Sequence, residues 1–294
     1  MKNMINNKYI NDENYKKLND MGFTYIGSGY MHLIFEKNKK IYKINKYDSK
    51  YYANYKSFLI EKEALMFLKT NGIPVPNIID ILDKGELIED FPILIEEKAS
   101  GKIYTRENIS QDMIIEIFMM LEKIWNIEVA PGYLFNPELS SPSWISFLTS
   151  RCIEAEDSAN IFSLPNYIDN IKKNLLENIY LKNGFMIMDV NEENFFFENK
   201  KIVSIIDIDH PIGGDLFYQW GAYEYFRPEQ FTILKAMKKF TKEELLKIKH
   251  YALLQAYTDL FFRYKTTEDK MELKFWHDYS KSYILKVGKE LGYE

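Results

Sequence analysis

The chain has 294 residues, 46% of them hydrophobic and 16% aromatic, and no stretch approaches the roughly 18 to 20 uninterrupted apolar residues of a membrane span. Its 38 Lys and Arg against 43 Asp and Glu leave a formal charge of −5, which argues against a nucleic-acid binder working by phosphate neutralisation and suits a neutral or cationic partner. A soluble protein whose core is divided between two lobes is expected at this length.

Met1 to Asn14 alternates polar Asn and Lys with single apolar residues, without the continuous apolar core of a secretory signal. A short polar helix is expected around Asn14 to Met21. Phe23-Thr24-Tyr25-Ile26 reads as a strand running into Gly27-Ser28-Gly29, and Met31 to Glu36 as a second strand that turns at Asn38-Lys39 into Lys40-Ile41-Tyr42-Lys43-Ile44. Gly27, Ser28 and Gly29 make either a tight turn or a backbone lid over phosphates, and so short a Gly-x-Gly does not choose between them. Lys43 shares a strand face with Ile41, where a half-buried strand prefers an apolar group. If buried, its ammonium needs a partner, and the helical pattern from Tyr55 to Thr70 offers Glu61 and Glu63. The alternative is that Lys43 reaches solvent at a sheet edge.

Asn71-Gly72 ends that helix, and Ile73-Pro74-Val75-Pro76 leads into extended chain from Ile78 to Leu82. A hairpin turning at Asp83-Lys84-Gly85 returns through Phe91 to Ile95. Glu96-Glu97-Lys98-Ala99-Ser100-Gly101 then breaks the apolar run as a candidate hinge, whose exposed backbone around Glu97 and Ala99 could hydrogen-bond an adenine, although any loop leaving an edge strand would look the same. Met113, Ile114, Ile117, Phe118, Leu121 and Ile124 mark an amphipathic helix from Asp112. A Pro- and Ser-rich passage, Pro131 to Ser143, precedes a helix starting near Trp144. Ser158 to Pro165 reads as a loop, and Tyr167 to Leu181 as a further helix. The single Cys152 excludes an internal disulfide and agrees with a reducing cytoplasm. His32, His210, His250 and His277 lack zinc-ligand spacing.

Chemistry concentrates in Phe185 to Asn194 and Ile205 to Asp209. Phe185 to Met188 is a short apolar strand that delivers Asp189 to a loop, and Asn194 follows five residues later. Phe195-Phe196-Phe197 pairs through an Asn199-Lys200 turn with Ile202 to Ile206, which presents Asp207 at its end. A carboxylate to orient a hydroxyl and take its proton, with an amide oxygen and a second carboxylate to hold Mg²⁺, is what phosphoryl transfer needs. The competing interpretation is a pair of Asx turns flanking a structural hairpin.

This order of strand, Asp189, Asn194, hairpin, Asp207 and Gly214-Asp215 resembles the aminoglycoside phosphotransferase family of the protein-kinase-like superfamily. The resemblance takes in Gly27-Ser28-Gly29, Lys43, Glu63-Ala64-Leu65, Ile73-Pro74-Val75-Pro76 and the hinge ending at Gly101. Gly132-Tyr133, Ser143-Trp144-Ile145-Ser146-Phe147 and Tyr225-Phe226-Arg227-Pro228 are similar to the hygromycin B phosphotransferase branch. It implies an α+β bilobal kinase-like fold, with an antiparallel-sheet lobe over residues 1–97 carrying one main helix and a larger, mostly helical lobe over 98–294. It also implies ATP or GTP with Mg²⁺ as cofactors, Asp189 as the catalytic residue and Asn194 and Asp207 as metal ligands. Lys43 becomes the phosphate lysine, with Glu63 as its helix partner, and Asp215 a brace for the loops. One departure is plain: the His-Gly that family members carry before the catalytic Asp is replaced by Ile187 and Met188.

Glu192 and Glu193 inside the loop, and Asp209 beyond the metal ligand, are either ordinary solvated loop charge or negative charge that would attract a cationic sugar. The expected activity is phosphorylation of an aminoglycoside hydroxyl, conferring antibiotic resistance. Kinases of choline, homoserine, a fructosamine or a macrolide are the alternatives within the fold, and a nucleotide-binding pseudokinase is the alternative outside catalysis. The tail from Lys242 to Tyr293 supplies aromatic helices for core or for an acceptor wall.

Overall fold

The computed structural model describes residues 12–28, 32–45, 55–88, 91–136, 141–176, 183–208, 210–267 and 269–293. In chain order its elements begin with α1 (Asp12–Asp20), β1 (Thr24–Ser28), β2 (His32–Lys37), β3 (Lys40–Asn45), α2 (Tyr55–Thr70), β4 (Ile78–Leu82) and β5 (Ile93–Glu97). Then come α3 (Gln111–Trp125), β6 (Gly132–Tyr133), α4 (Trp144–Phe162), α5 (Ile168–Leu176), β7 (Gly184–Met186), β8 (Phe195–Glu198), β9 (Lys201–Ile205) and β10 (Ile212–Gly214). Four helices complete the series: α6 (Leu216–Phe226), α7 (Pro228–Met237), α8 (Lys242–Thr266) and α9 (Lys270–Leu291).

These elements form two compact units. The first takes residues up to Thr105 together with Glu193–His210, and the second takes Arg106–Glu192 together with Pro211–Glu294. The sequence expectation divides the chain once, between 97 and 98. The structure instead returns the β8–β9 hairpin to the first unit, because Lys102 bridges Phe197 and the Ile205 amide donates to the Pro74 carbonyl at 2.9 Å.

In the first unit a five-stranded antiparallel sheet runs in the order β1-β2-β3-β5-β4. Asn38 and Lys39 join β2 to β3, and Asn199 and Lys200 join β8 to β9, all four with φ between 48° and 63°. That left-handed pair is the turn whose twist matches two-residue hairpins. One side of the sheet closes over Leu18, Phe23, Leu33, Phe35, Ile44, Ile93 and Ile95. Gly101 has φ +90°, and a Cβ there would stand 2.8 Å from Val203 and 2.9 Å from the Phe197 carbonyl. Gly101→Ala should therefore cost about 1–3 kcal/mol from backbone strain alone, read as a lowered urea midpoint, and an unchanged midpoint would contradict this packing.

The second unit is organised around α8, whose Ile248, Tyr251, Ala252, Leu253, Leu254, Ala256, Tyr257 and Leu260 are all fully buried. Its start carries a capping box between Thr241 and Glu244, which satisfies otherwise orphaned amides of the first turn. Tyr251 and Tyr257 thus belong to the core, while Trp276 and Tyr279 only flank it. Three short strands pair in the order β6-β10-β7, so β7, which leads to Asp189, is held by Ile212–Gly214. α4 runs through Ser158 to Phe162, where the sequence suggests a loop; Ser158 is buried and the helix stops only at Ser163, with φ 50°. No helix among the described residues is long and apolar enough to cross a membrane.

Candidate active site

Within the first unit, Lys43 lies on β3 with its side chain only 3% exposed. Its Nζ is 2.5 Å from Glu61 Oε1, 3.5 Å from Asp207 Oδ1 and 3.9 Å from Glu96 Oε1. Burial alone would lower the Lys43 pKa, but the three carboxylates outweigh it and hold the ammonium well above its usual range. The partner is Glu61, and Glu63 is exposed. Residues two apart on a helix point to nearly opposite sides, so only one of the two glutamates can face the sheet. Glu61 lies on the stripe formed by Ser57, Phe58, Ala64, Leu65 and Leu68, which is the buried side of α2.

Glu96 was legible only as part of a hinge, yet β5 continues through it and buries it. Leu94 pairs with Lys43 across the ladder, and Glu96 follows two residues on, on the same face. Burial raises the Glu96 pKa, with Asp207 adding to the effect and Lys43 opposing it. Glu61 is raised to about 8 by burial, opposed by Lys43 and reinforced by Glu96 and Asp207. With one ammonium among three carboxylates, the cluster keeps a proton that isolated carboxylates would release.

The consequence for stability has a definite sign. Glu61 binds its proton more tightly folded than unfolded, so its contribution is complete below about pH 4.5 and is lost as pH rises through about 8. Thermal unfolding temperature should fall across that window, and Glu61→Gln should flatten the slope; an unaltered slope would contradict the assignment.

Asp207 follows β9 in the left-handed conformation, φ 63°. Asp tolerates that conformation better than most residues, but it still costs energy that tends to be spent at functional positions. Burial works against its charge, yet Lys43, His32 and His210 together lower its pKa and keep it ionised. The Ile206 amide donates to the Asn194 carbonyl at 3.0 Å, which brings the backbone of Asn194 next to that of the residue preceding Asp207. An ionised Asp and an Asn amide are two hard oxygen donors, the number that Mg²⁺ takes from protein when phosphates complete its shell. The buried Glu61 Oε2 and Glu96 Oε2 make no hydrogen bond among the described residues. Carboxyl oxygens without a hydrogen-bond donor thus lie in the same cluster as the ionised Asp207, and a divalent cation fits this side of the unit. Among the described residues no group of three or more His, Cys, Asp or Glu forms a metal-holding set. A metal here therefore depends on ligand oxygens as well.

Gly27 and Ser28 end β1, paired with Ile34 and Leu33, and Gly29 lies outside the described residues. A Cβ on Gly27 would meet nothing within 4 Å and its φ is ordinary, so neither packing nor backbone demands glycine there. At the hinge the Glu97 amide donates to the Asn77 carbonyl at 2.9 Å, and its carboxylate accepts from Asn77 Nδ2 at 2.6 Å. Ala99 is half-buried, and its amide has no backbone partner among the described residues.

Within the second unit Asp189 is exposed between the buried Ile187 and Val190, and its Oδ1 accepts the Asn191 amide at 3.0 Å. Ile187, which stands where the resemblance expects a histidine, is 2% exposed, and its carbonyl accepts from the buried Gln219 of α6. Glu192 is not an acceptor-facing charge: it is 2% exposed and accepts from Arg227 Nε at 3.2 Å and Gln230 Nε2 at 3.4 Å. The loop is thus pinned before Asp189 by Gln219 and after it by Arg227 and Gln230, anchors that no spacing in the sequence announces. Glu193 is exposed, and Asp209 lies outside the described residues. Asp215 caps α6 through the Phe217 amide at 3.1 Å and receives Lys247 at 2.7 Å and the Tyr251 hydroxyl at 3.0 Å.

No family model matches the chain, and no curated protein matches it in sequence. Solved structures do match in shape. A thermostable mutant of aminoglycoside phosphotransferase APH(4)-Ia, solved with ADP and hygromycin B, aligns over 94% of this chain and 98% of its own with TM-score 0.66 and 12% identity. APH(2")-IIa, solved with gentamicin, aligns over 96% and 97% with TM-score 0.63 and 17% identity. A putative fructosamine-3-kinase from Haemophilus somnus 129PT aligns over 94% and 96% with TM-score 0.62 and 16% identity. The hygromycin B and gentamicin structures align about equally well, so no branch is singled out. The chain therefore has the α+β protein-kinase-like fold of aminoglycoside phosphotransferases and of a fructosamine kinase, with an antiparallel-sheet N-terminal region and a mostly helical C-terminal region.

Proposed function

We propose that this chain is a phosphotransferase that moves the γ-phosphoryl group of ATP to a hydroxyl of a small molecule. The observation that carries this reading is the buried Lys43 among Glu61, Glu96 and an ionised Asp207, because so much clustered charge in a sheet core is costly and a purely structural core would not keep it. Lys43, fixed by Glu61, holds the nucleotide phosphates. Asn194 and Asp207 would hold Mg²⁺, which when bound would neutralise charge on the phosphate oxygens. Asp189, kept in place by the pinned loop, orients the acceptor hydroxyl and accepts its proton. The Gly27-Ser28-Gly29 backbone covers the phosphates, and the free space around Gly27 suits close approach by a ligand. The Ala99 amide serves the base. A reaction that consumes ATP is in keeping with a cytoplasmic location.

The finer reading is an aminoglycoside acceptor and hence resistance. It is supported by neighbours solved with hygromycin B and with gentamicin. A second reading, a different small acceptor, is favoured by Glu192, whose charge is committed to Arg227 and Gln230 rather than to a cationic sugar. ADP release from ATP and Mg²⁺ with a panel of aminoglycosides, a fructosamine, choline and homoserine tests both. Turnover with an aminoglycoside supports the first reading, and turnover with another acceptor alone supports the second. No turnover with any of them overturns the aminoglycoside reading.

A further inference from the structure

The second unit contains a pocket of about 270 Å³ whose wall combines two arginines with aromatic rings. Among the described residues, Arg106 and Arg227 are its only charged lining residues. Phe226 and Tyr279 line it too, as do Phe275 and Trp276 of α9. Residues 275, 276 and 279 lie one to four positions apart on that helix, so their rings form one face, and Phe275 is 61% exposed. Trp276 stands edge-on to Tyr279 at 5.7 Å and to Phe226 at 6.4 Å. The Arg263 guanidinium already occupies a position over the Trp276 ring, 3.6 Å from its centroid.

The charges decide what such a pocket accepts. The carboxylates paired with these arginines are Glu229, with Arg106 Nη2 at 2.6 Å, and Glu192, with Arg227 Nε at 3.2 Å. A cationic ligand drawing on either carboxylate would compete with its arginine and would still face two guanidinium groups. An anion breaks nothing. Each guanidinium carries five N–H donors. Arg106 commits one nitrogen to Glu229, and Arg227 gives Nε to Glu192 and Nη1 to the Phe226 carbonyl at 3.1 Å, so donors remain on both. Their planar forks match carboxylate and phosphate oxygens, and the rings match a flat apolar body. The volume falls just below the range of ligand pockets, which begins at about 300 Å³. A single-ring compound suits it better than a whole multi-ring aminoglycoside.

We propose that this pocket binds the acceptor, and that the acceptor is a small molecule joining an anionic group, carboxylate or phosphate, to a flat, largely apolar body. Arg106 and Arg227 hold the anion. Arg227 also anchors Glu192, three residues after Asp189, so an anion held by Arg227 reaches the loop through the Arg227–Glu192 pair. That this ligand is the acceptor rests on the phosphotransferase reading in its second form, with an acceptor other than an aminoglycoside; that the pocket takes an anion does not.

The test uses the full chain and four matched probes without nucleotide: meta-hydroxymethylbenzoate, meta-hydroxymethylphenyl phosphate, meta-hydroxymethylbenzylamine and benzyl alcohol. Calorimetric titration should give one of the two anionic probes a Kd at least about tenfold below that of the amine, the weight of one charge-assisted hydrogen bond. Whichever anion binds more tightly separates carboxylate from phosphate recognition. Arg106→Gln should erase the preference for the anion while benzyl alcohol keeps its affinity. The proposal is overturned if the amine or hygromycin B binds as tightly as the anions, if neither anion binds, or if Arg106→Gln leaves the preference intact. ADP release is then measured with the same probes. Anion binding without ADP release sinks the acceptor assignment and leaves the anion pocket standing; ADP release with an aminoglycoside and no anion binding sinks the pocket alone.

Discussion

Asp189→Asn should lower kcat by about 10²- to 10⁴-fold, the range contributed by a positioned general base. The substitution is a clean one for this loop. Asp189 Oδ1 accepts the Asn191 amide at 3.0 Å, and an asparagine oxygen accepts the same bond. The loop anchors at Gln219, Arg227 and Gln230 are left alone. What changes is the charge that takes the hydroxyl proton. Nucleotide affinity should stay within about twofold of wild type, since a general base acts on the chemical step rather than on binding. A variant retaining most of its kcat would remove Asp189 from the mechanism.

The second large effect is expected from Lys43→Met. Methionine fills a similar volume but leaves Glu61, Glu96 and Asp207 without their cation. Breaking a buried pair by removing one partner costs about 3–5 kcal/mol, most of it the penalty of uncompensated buried charge. Urea unfolding should show that loss, and stabilisation by Mg²⁺ and ATP should disappear. Lys43→Met combined with Glu61→Gln should recover part of the stability, because an amide replaces the buried carboxyl that has lost its hydrogen-bonding cation, without recovering nucleotide binding. Additive losses in the double variant would show that the two side chains are not paired.

Much of this arrangement can be read from the chain. Asn38-Lys39 and Asn199-Lys200 mark both hairpins because Asn tolerates the left-handed conformation that such turns require. Lys43 is conspicuous because a charge breaks the apolar alternation of a strand. Asp189, Asn194 and Asp207 follow from strand ends and spacing. The choice between Glu61 and Glu63 was also available, since Glu61 falls on the Phe58, Leu65, Leu68 stripe; following the resemblance to Glu63 overrode the helical period. Glu96 was missed for a different reason. Two adjacent glutamates look like the end of a strand, and only the pairing of Leu94 with Lys43 shows why one of them turns inward. Glu192, Arg227 and Gln219 were out of reach because their partners lie 35 and 32 residues away, in a helix whose rotation the sequence does not fix. The discontinuous first unit was hidden likewise, being set by the pairing of Lys102 with Phe197.

The central claim is phosphoryl transfer to a small hydroxyl acceptor, and it is tested most directly without choosing that acceptor beforehand. Wild type and Asp189→Asn are each incubated with Mg²⁺, γ-labelled ATP and a fractionated extract of small metabolites, and the fractions are searched for a compound that gains the label. Label should enter one acceptor with the wild type and fall by about 10²-fold or more with the variant. A protein that binds ATP yet labels no compound in any fraction would contradict the claim, and would leave the chain a nucleotide-binding protein of kinase-like fold without kinase activity.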